Sequence, residues 1–214
     1  LWDKKCFVYA NVPYRIKSYA EICKNPKDTI DFDFDLDHKI NARREDLGAD
    51  GALLQDQNGQ ILHVNFTEKI LATVLAKLSN YILEGGIWMN TQRPEWNDAN
   101  NALVGNGVSM VTLYYLRRFM HFFHGVITET TLEDVQLSSE LADFYGQMRR
   151  AFTDHKHLCS GNITDQDRKK MLDVLGNAAS QFRDRIYVKG FAGTQQAVSI
   201  ADLREFAALT CTFL

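Results

Sequence analysis

Residues 85 to 101 hold the densest set of groups able to do chemistry: Gly-Gly-Ile-Trp-Met-Asn-Thr-Gln-Arg-Pro-Glu-Trp-Asn-Asp-Ala-Asn-Asn. Amide, carboxylate and guanidinium side chains crowd here beside Trp88 and Trp96. So many donors and acceptors cannot enter a core without losing hydrogen bonds to water. Indole rings, by contrast, are costly to leave in water. Carbohydrate sites combine these two properties, with flat aromatic faces for sugar rings and planar polar groups for hydroxyls. Glu95 and Asp98 are three residues apart, so a turn between them brings two carboxyls to one sugar. The same composition also suits a hydrogen-bonded plug over helix ends, with Asn100 or Asn101 capping the next helix.

The elements that must position this segment are helices. Asn65 can cap a helix, with Glu68 three residues later as in a capping box. Phe66, Ile70, Leu71, Val74, Leu75, Leu78 and Ile82 follow at helical spacing, which predicts a helix over 66–83 ended by Gly85-Gly86. A second helix is expected from about Ala102 to His124. It is apolar nearly all round (Val108, Val111, Leu113, Tyr114, Tyr115, Phe119, Phe122 and Phe123 among others), which predicts burial on every side. Arg117-Arg118 interrupts it and is expected to end in ion pairs beside it. Three amphipathic helices follow. The first spans about Leu132 to Phe152, the second is capped by Thr164 with Asp167 three on, and the third by Ser199 with Asp202 three on. Arg185 to Val198, with Gly190 and Gly193, reads as a hairpin or loop.

The N-terminal third carries strand signals. Phe7 to Ile22 lacks a steady period and reads as extended chain or loop. From Thr29 to His38, Ile30, Phe32, Phe34 and Leu36 alternate with Asp31, Asp33, Asp35 and Asp37, the pattern of a half-buried strand with one acidic face. That face suits solvent, and also a cation or a catalytic base. Leu53 to Val64 reads as a hairpin turned at Asn58-Gly59, which tolerates the positive φ of a tight turn. The expected fold is mainly α, with a small β-hairpin element in the N-terminal third, and residues 1–214 form one domain or a fragment of a larger catalytic one.

Composition removes several function classes. The chain has 214 residues, 45% of them hydrophobic, a net charge of −3 and no broad basic field, so a nucleic-acid partner is not expected. No apolar run is long enough for a membrane span. A soluble location is expected, cytoplasmic or periplasmic. Leu1 is not a natural start and no leader follows it, which favours an internal piece whose partner is the rest of a longer chain. Cys6, Cys23, Cys159 and Cys211 are too far apart for a metal or redox motif; their even number allows disulfides, but free thiols are the expectation in a chain this large. His121 with His124, and His155 with His157, have no third ligand placed by sequence and read as packing or surface residues. No glycine-rich phosphate loop follows a strand, and no cofactor or metal is implied.

Glu95-Trp96-Asn97-Asp98 resembles the Asp-Trp-Asn-Asp segment of the inverting disaccharide phosphorylases, the cellobiose and chitobiose phosphorylases. More loosely, His63 to Phe123 resembles the catalytic part of six-hairpin (α/α)6 glycosidases, several of them uncharacterised bacterial proteins. The resemblance implies part of an (α/α)6 toroid that cleaves a glycosidic bond with inversion. By position, Glu95 is then the general acid. Asp98 is the second catalytic carboxylate, raising the pKa of Glu95 or holding sugar hydroxyls. Trp88 and Trp96 would wall the site. Gln92, Asn97, Asn100 and Asn101 would bind hydroxyls, and Arg93 would pair with a carboxylate or hold phosphate. The substrate is an oligosaccharide or disaccharide, joined by inorganic phosphate if the reaction is phosphorolysis. There are departures. Glu95 is one methylene longer than Asp, Ala99-Asn100 replaces Gly-Met, and Arg93-Pro94 precedes the acid where small or acidic residues are usual. These weaken phosphorylase more than glycoside-active toroid. Hydrolysis needs a second carboxylate to activate water, for which Asp33, Asp35 and Asp37 are the candidates in the chain. A non-catalytic helical domain that binds a glycan or a protein would use the same aromatic-polar segment.

Overall fold

The computed structural model describes residues 2–90 and 103–214. Within them the chain is mainly α, with seven helices and four small antiparallel sheets. The helices are α1 (Tyr19–Lys24), α2 (Phe34–Leu47), α3 (Phe66–Leu78), α4 (Met110–Glu129), α5 (Ser139–Asp154), α6 (Asp165–Lys189) and α7 (Ile200–Phe213). The strands are β1 (Phe7–Val8), β2 (Tyr14–Ile16), β3 (Ile30–Phe32), β4 (His63–Val64), β5 (Tyr81–Ile82), β6 (Gly86–Trp88), β7 (Val108–Ser109), β8 (Asp134–Ser138) and β9 (Gln195–Ser199). They pair as β1 with β4, β2 with β3, β5-β6-β7 in one sheet, and β8 with β9. Strands are therefore not confined to the N-terminal third.

The helical core is built on a paired motif. β8 and β9 run antiparallel from Asp134↔Ser199 to Ser138↔Gln195, and each leads directly into a helix, α5 and α7. α5 packs on α6, α7 packs along α4, and α3 packs on α5. Phe152, Phe206, Leu75, Met148 and Met171 lie fully buried where these helices meet.

Local signals account for several boundaries. Thr164 and Asp167 form a complete capping box at the start of α6, and Ser199 accepts from the Ala201 and Asp202 amides at the start of α7. Asn65 Oδ1 accepts from the Glu68 amide at 2.9 Å. The Asn58-Gly59 turn forms as expected, with Gly59 at φ +76° and Gln55 bridged to Ile61.

Other elements differ from the expectation, each for an identifiable reason. Thr29–His38 is not one strand. Only Ile30–Phe32 pairs, with β2, and Asp33 then caps α2 by accepting from the Leu36 amide. Asp35 and Asp37 lie in the first turn of that helix, where carboxylates favour the positive end of the helix dipole. Phe7–Ile22 contains two short strands and the start of α1. The helix predicted over 66–83 stops at Leu78. Ile82 belongs to β5, and Gly85-Gly86 turns the β5–β6 hairpin instead of ending a helix. Gly86 sits at φ +123°, a backbone conformation that strains any residue with a side chain, and the Met110 sulfur lies 3.1 Å from where a Cβ would stand. Leu132–Phe152 splits into strand β8 and helix α5. Arg185–Lys189 is the last stretch of α6, which runs on until Gly190 caps it at φ +67°.

The largest departure is α4. It starts at Met110 and reaches Glu129, and it is buried on one stripe only: Leu113, Leu116, Met120, Phe123 and Ile127. Val111, Tyr114, Tyr115 and Phe122 are each about 65% exposed. Helix α7 covers one side and nothing among the described residues covers the other. Arg117 and Arg118 are exposed on α4, with no ion pair among the described residues.

Candidate functional site

A cleft of about 300 Å³ opens where α3 ends and the β5–β6–β7 sheet begins. Its position follows from the early stop of α3. Asn80 leaves the helix, its side-chain Nδ2 donating back to the Ala76 carbonyl at 3.2 Å, while its backbone carbonyl accepts from the Trp88 amide at 2.8 Å. Strand β6 is thereby fixed against the helix end, and Trp88, Met89 and Asn90 become one wall. Phe144 of α5 and Phe182 of α6, stacked at 4.9 Å between ring centroids, supply an apolar floor. Lys77, Thr112 and Arg183 complete the polar rim.

Most of the wall is held by hydrogen bonds. The Trp88 indole donates to the Gly105 carbonyl at 3.1 Å, which fixes the ring plane. Asn90 Nδ2 donates to Asn80 Oδ1 at 2.6 Å. Gly105 donates to Met89 and Met89 to Gly107, lacing 103–107 to the strand that precedes it. The hairpin behind the wall is tied to α6, where Arg168 bonds the Leu83 carbonyl and pairs with Glu84 at 2.5 Å.

Arg183 is the most unusual group in the cleft. Its Nη2 donates to Ser180 Oγ at 3.2 Å and to the Lys17 carbonyl at 3.4 Å. Ser180 Oγ also accepts from the Tyr19 amide at 2.6 Å, so one hydroxyl ties α1 to α6 and steadies the guanidinium. α1 approaches α6 this closely because of Gly176, where a Cβ would lie 2.3 Å from the Tyr19 ring. Arg183 Nε is enclosed without an acceptor among the described residues. Burial lowers the pKa of the guanidinium.

Of the residues singled out from sequence, Trp88 lines this cleft, and so does Asn90 at the start of the polar segment. Gln92, Arg93, Glu95, Trp96, Asn97, Asp98, Asn100 and Asn101 lie outside the described residues. Asp33, Asp35 and Asp37, the candidate bases, do not line the cleft; they cap and begin α2. His155 is buried with Nδ1 against the Ala151 carbonyl, and its ring stacks on His157. Among the described residues no three His, Cys, Asp or Glu side chains gather as a metal site would require, and the four cysteines are unpaired thiols. Lys77, Asn80, Phe144, Phe182 and Arg183 were not singled out. Phe144 and Phe182 show only as apolar positions at helical spacing, and Asn80 falls inside the span expected to be helical. Arg183 follows Phe182, the last apolar position read from sequence for its helix, and one of its two partners, the Lys17 carbonyl, is 166 residues away in the chain.

Two other concavities differ in kind. About 480 Å³ of open space runs along one side of α6 near Lys169 and Asp173, bounded by that helix alone. An apolar groove of about 370 Å³ separates α3 from α4, lined by Val74, Tyr115, Leu116 and Phe119. Neither joins an apolar floor to a rim of amides and cations. No protein-family model matches the chain, and no curated protein matches it. No helix among the described residues is long and apolar enough to cross a membrane.

Proposed function

We propose that the chain is part of a carbohydrate-active enzyme of the six-hairpin (α/α)6 kind, and that its cleft holds a sugar beside the general acid Glu95. One observation carries the reading. The chain enters the Glu95-Trp96-Asn97-Asp98 segment from Asn90, and Trp88 and Asn90 already wall a cleft with a phenylalanine floor and an amide rim. Apolar ring faces and bidentate amides match the two surfaces of a pyranose. The bare face of α4 supports the toroid. A helix so apolar on two sides needs cover on both, and in a closed ring of helical hairpins the neighbouring hairpin supplies it.

The reaction is acid-assisted departure of the leaving sugar with inversion. Glu95 donates the proton, with Asp98 raising its pKa or holding hydroxyls. The nucleophile is water or inorganic phosphate. Glu95→Gln keeps the shape but has no proton to give. Rates on natural substrates should fall about 10²–10⁴-fold, and much less on substrates with an activated leaving group, at unchanged thermal stability. Equal losses on both substrate types would assign Glu95 a structural role.

A second reading, a non-catalytic glycan-binding domain, draws on a different observation: no Asp or Glu among the described residues lines the cleft. On that reading Glu95→Gln leaves sugar affinity unchanged and no substrate is cleaved by the wild-type protein.

A further inference from the structure

We propose that the cleft recognises a sugar-borne oxyanion, a carboxylate or a phosphate ester, through Arg183 with Lys77 as the second cation. This inference rests on the carbohydrate reading of the cleft and adds the charge of its ligand.

The argument starts from the lining. Lys77 and Arg183 are the charged residues of the cleft among the described residues, and neither has a carboxylate within ion-pair distance there. Elsewhere in the molecule cations of this kind are paired. Lys17 bonds Asp28 and Asp31, Arg149 bonds Asp202 and Glu205, and Arg168 bonds Glu84 and Asp165. Arg183 is half-buried as they are, yet it has only neutral partners, Ser180 Oγ and the Lys17 carbonyl. Asp184, its neighbour in the chain, acts on it at a distance and makes no ion pair with it. A guanidinium drawn out of water with no countercharge is costly to maintain. Its cost is offset when an anion enters.

Geometry supports the same conclusion. Ser180 and the Lys17 carbonyl hold Nη2 on one side, and Nη1 makes no hydrogen bond among the described residues. A guanidinium fixed by one nitrogen is pre-organised to present the remainder to a planar acceptor. Lys77, at the end of α3, adds a point charge on the other side of the cleft. Phe144 and Phe182 then lie under the ring that carries the anion, while Asn80 is placed for a hydroxyl.

The test is calorimetric titration of the protein with glucose, glucuronate, glucose 6-phosphate and inorganic phosphate. Glucuronate, glucose 6-phosphate or both should bind about tenfold or more tightly than glucose, the scale of one charge-assisted hydrogen bond. Arg183→Gln should remove the preference. Arg183→Lys should keep part of it, and Lys77→Gln should weaken it with no risk to folding, since Lys77 is exposed. Circular dichroism melting verifies that each variant is folded. The two acidic sugars separate carboxylate from phosphate recognition. Equal affinity for glucose and both acidic sugars overturns the oxyanion inference and leaves the carbohydrate reading standing. Arg183-dependent binding of inorganic phosphate at least as tight as that of the acidic sugars overturns the sugar-borne ligand but not the carbohydrate reading, since phosphorolysis itself uses inorganic phosphate. A preference that survives both Arg183→Gln and Lys77→Gln overturns the assignment to this cleft.

Discussion

Glu68 and Arg183 are both drawn out of water, but the fold treats them in opposite ways. Glu68 is 1% exposed at the start of α3, and its carboxylate is answered from across the molecule. Oε1 accepts from Ser138 Oγ at 2.6 Å and Oε2 from the Ser138 amide at 2.9 Å. Asn65 Nδ2 reaches the Gln136 carbonyl at 2.6 Å in the same junction. The pair clamps α3 onto the turn between β8 and α5 and sets an acidic group at the N-terminus of α5, where the helix dipole favours it. Arg183 is less completely engaged: Nη2 meets Ser180 Oγ and the Lys17 carbonyl, while Nε has no acceptor and Nη1 no hydrogen bond among the described residues. A buried charge whose oxygens are all engaged belongs to the architecture, whereas one left incompletely engaged at the edge of a cleft is available to a ligand.

Replacing Glu68 should have the largest effect on stability. Glu68→Ala leaves the Ser138 amide and hydroxyl buried without their acceptors and opens a space beside them. Urea unfolding should show a loss of about 3 kcal/mol or more. A loss below about 1 kcal/mol would mean that the clamp is not what joins α3 to β8 and α5, and the contrast with Arg183 would disappear.

The pH dependence sharpens the same contrast. Burial, the larger influence, raises the Glu68 pKa above its ordinary 4.5, partly opposed by the Ser138 hydrogen bonds and by Lys5, while Glu140 raises it further. A carboxyl with a raised folded-state pKa adds stability at acid pH and loses that contribution as pH rises through the folded value. Wild-type stability should therefore fall relative to Glu68→Gln as pH increases from 4.5 towards neutrality. Thermal melts of the two proteins across that window check the sign, and parallel curves would show that Glu68 is not the proton-linked group.

The smallest effect is expected at Arg183. Because its partners are neutral and its charge has no buried countercharge, Arg183→Gln should change unfolding free energy by no more than about 1 kcal/mol. A loss as large as that for Glu68→Ala would make Arg183 a structural tie between α1 and α6 through Ser180.

The helix boundaries divide along similar lines. Signals within a few residues were legible. The Thr164–Asp167 box, the Ser199 and Asn65 caps and the Asn58-Gly59 turn each form where the residue types place them. Signals that depended on a distant partner were misread. Glu68 looks like the second half of a capping box with Asn65, yet its side chain turns to Ser138, 70 residues on, because two donors there outweigh one local amide. The alternating Asp run was misread for a local reason, since Asp33 accepts from the Leu36 amide three residues on and starts a helix there. Of the candidate site, the Trp88 and Asn90 wall was named from composition alone, whereas its floor and cations were not.

The sequence by itself determined the mainly helical class, the starts of α3, α6 and α7, and the polar-aromatic segment that begins at Asn90. These rest on capping hydrogen bonds and hydrophobic periods that span only a few residues. Tertiary structure alone decided which face of α4 is covered, because the burial of an all-apolar helix depends on what packs against it. It also decided that Arg183 reaches the same cleft as Trp88. That juxtaposition requires α6 to run past the end of α3 with α1 pressed against Gly176, an arrangement no local pattern encodes.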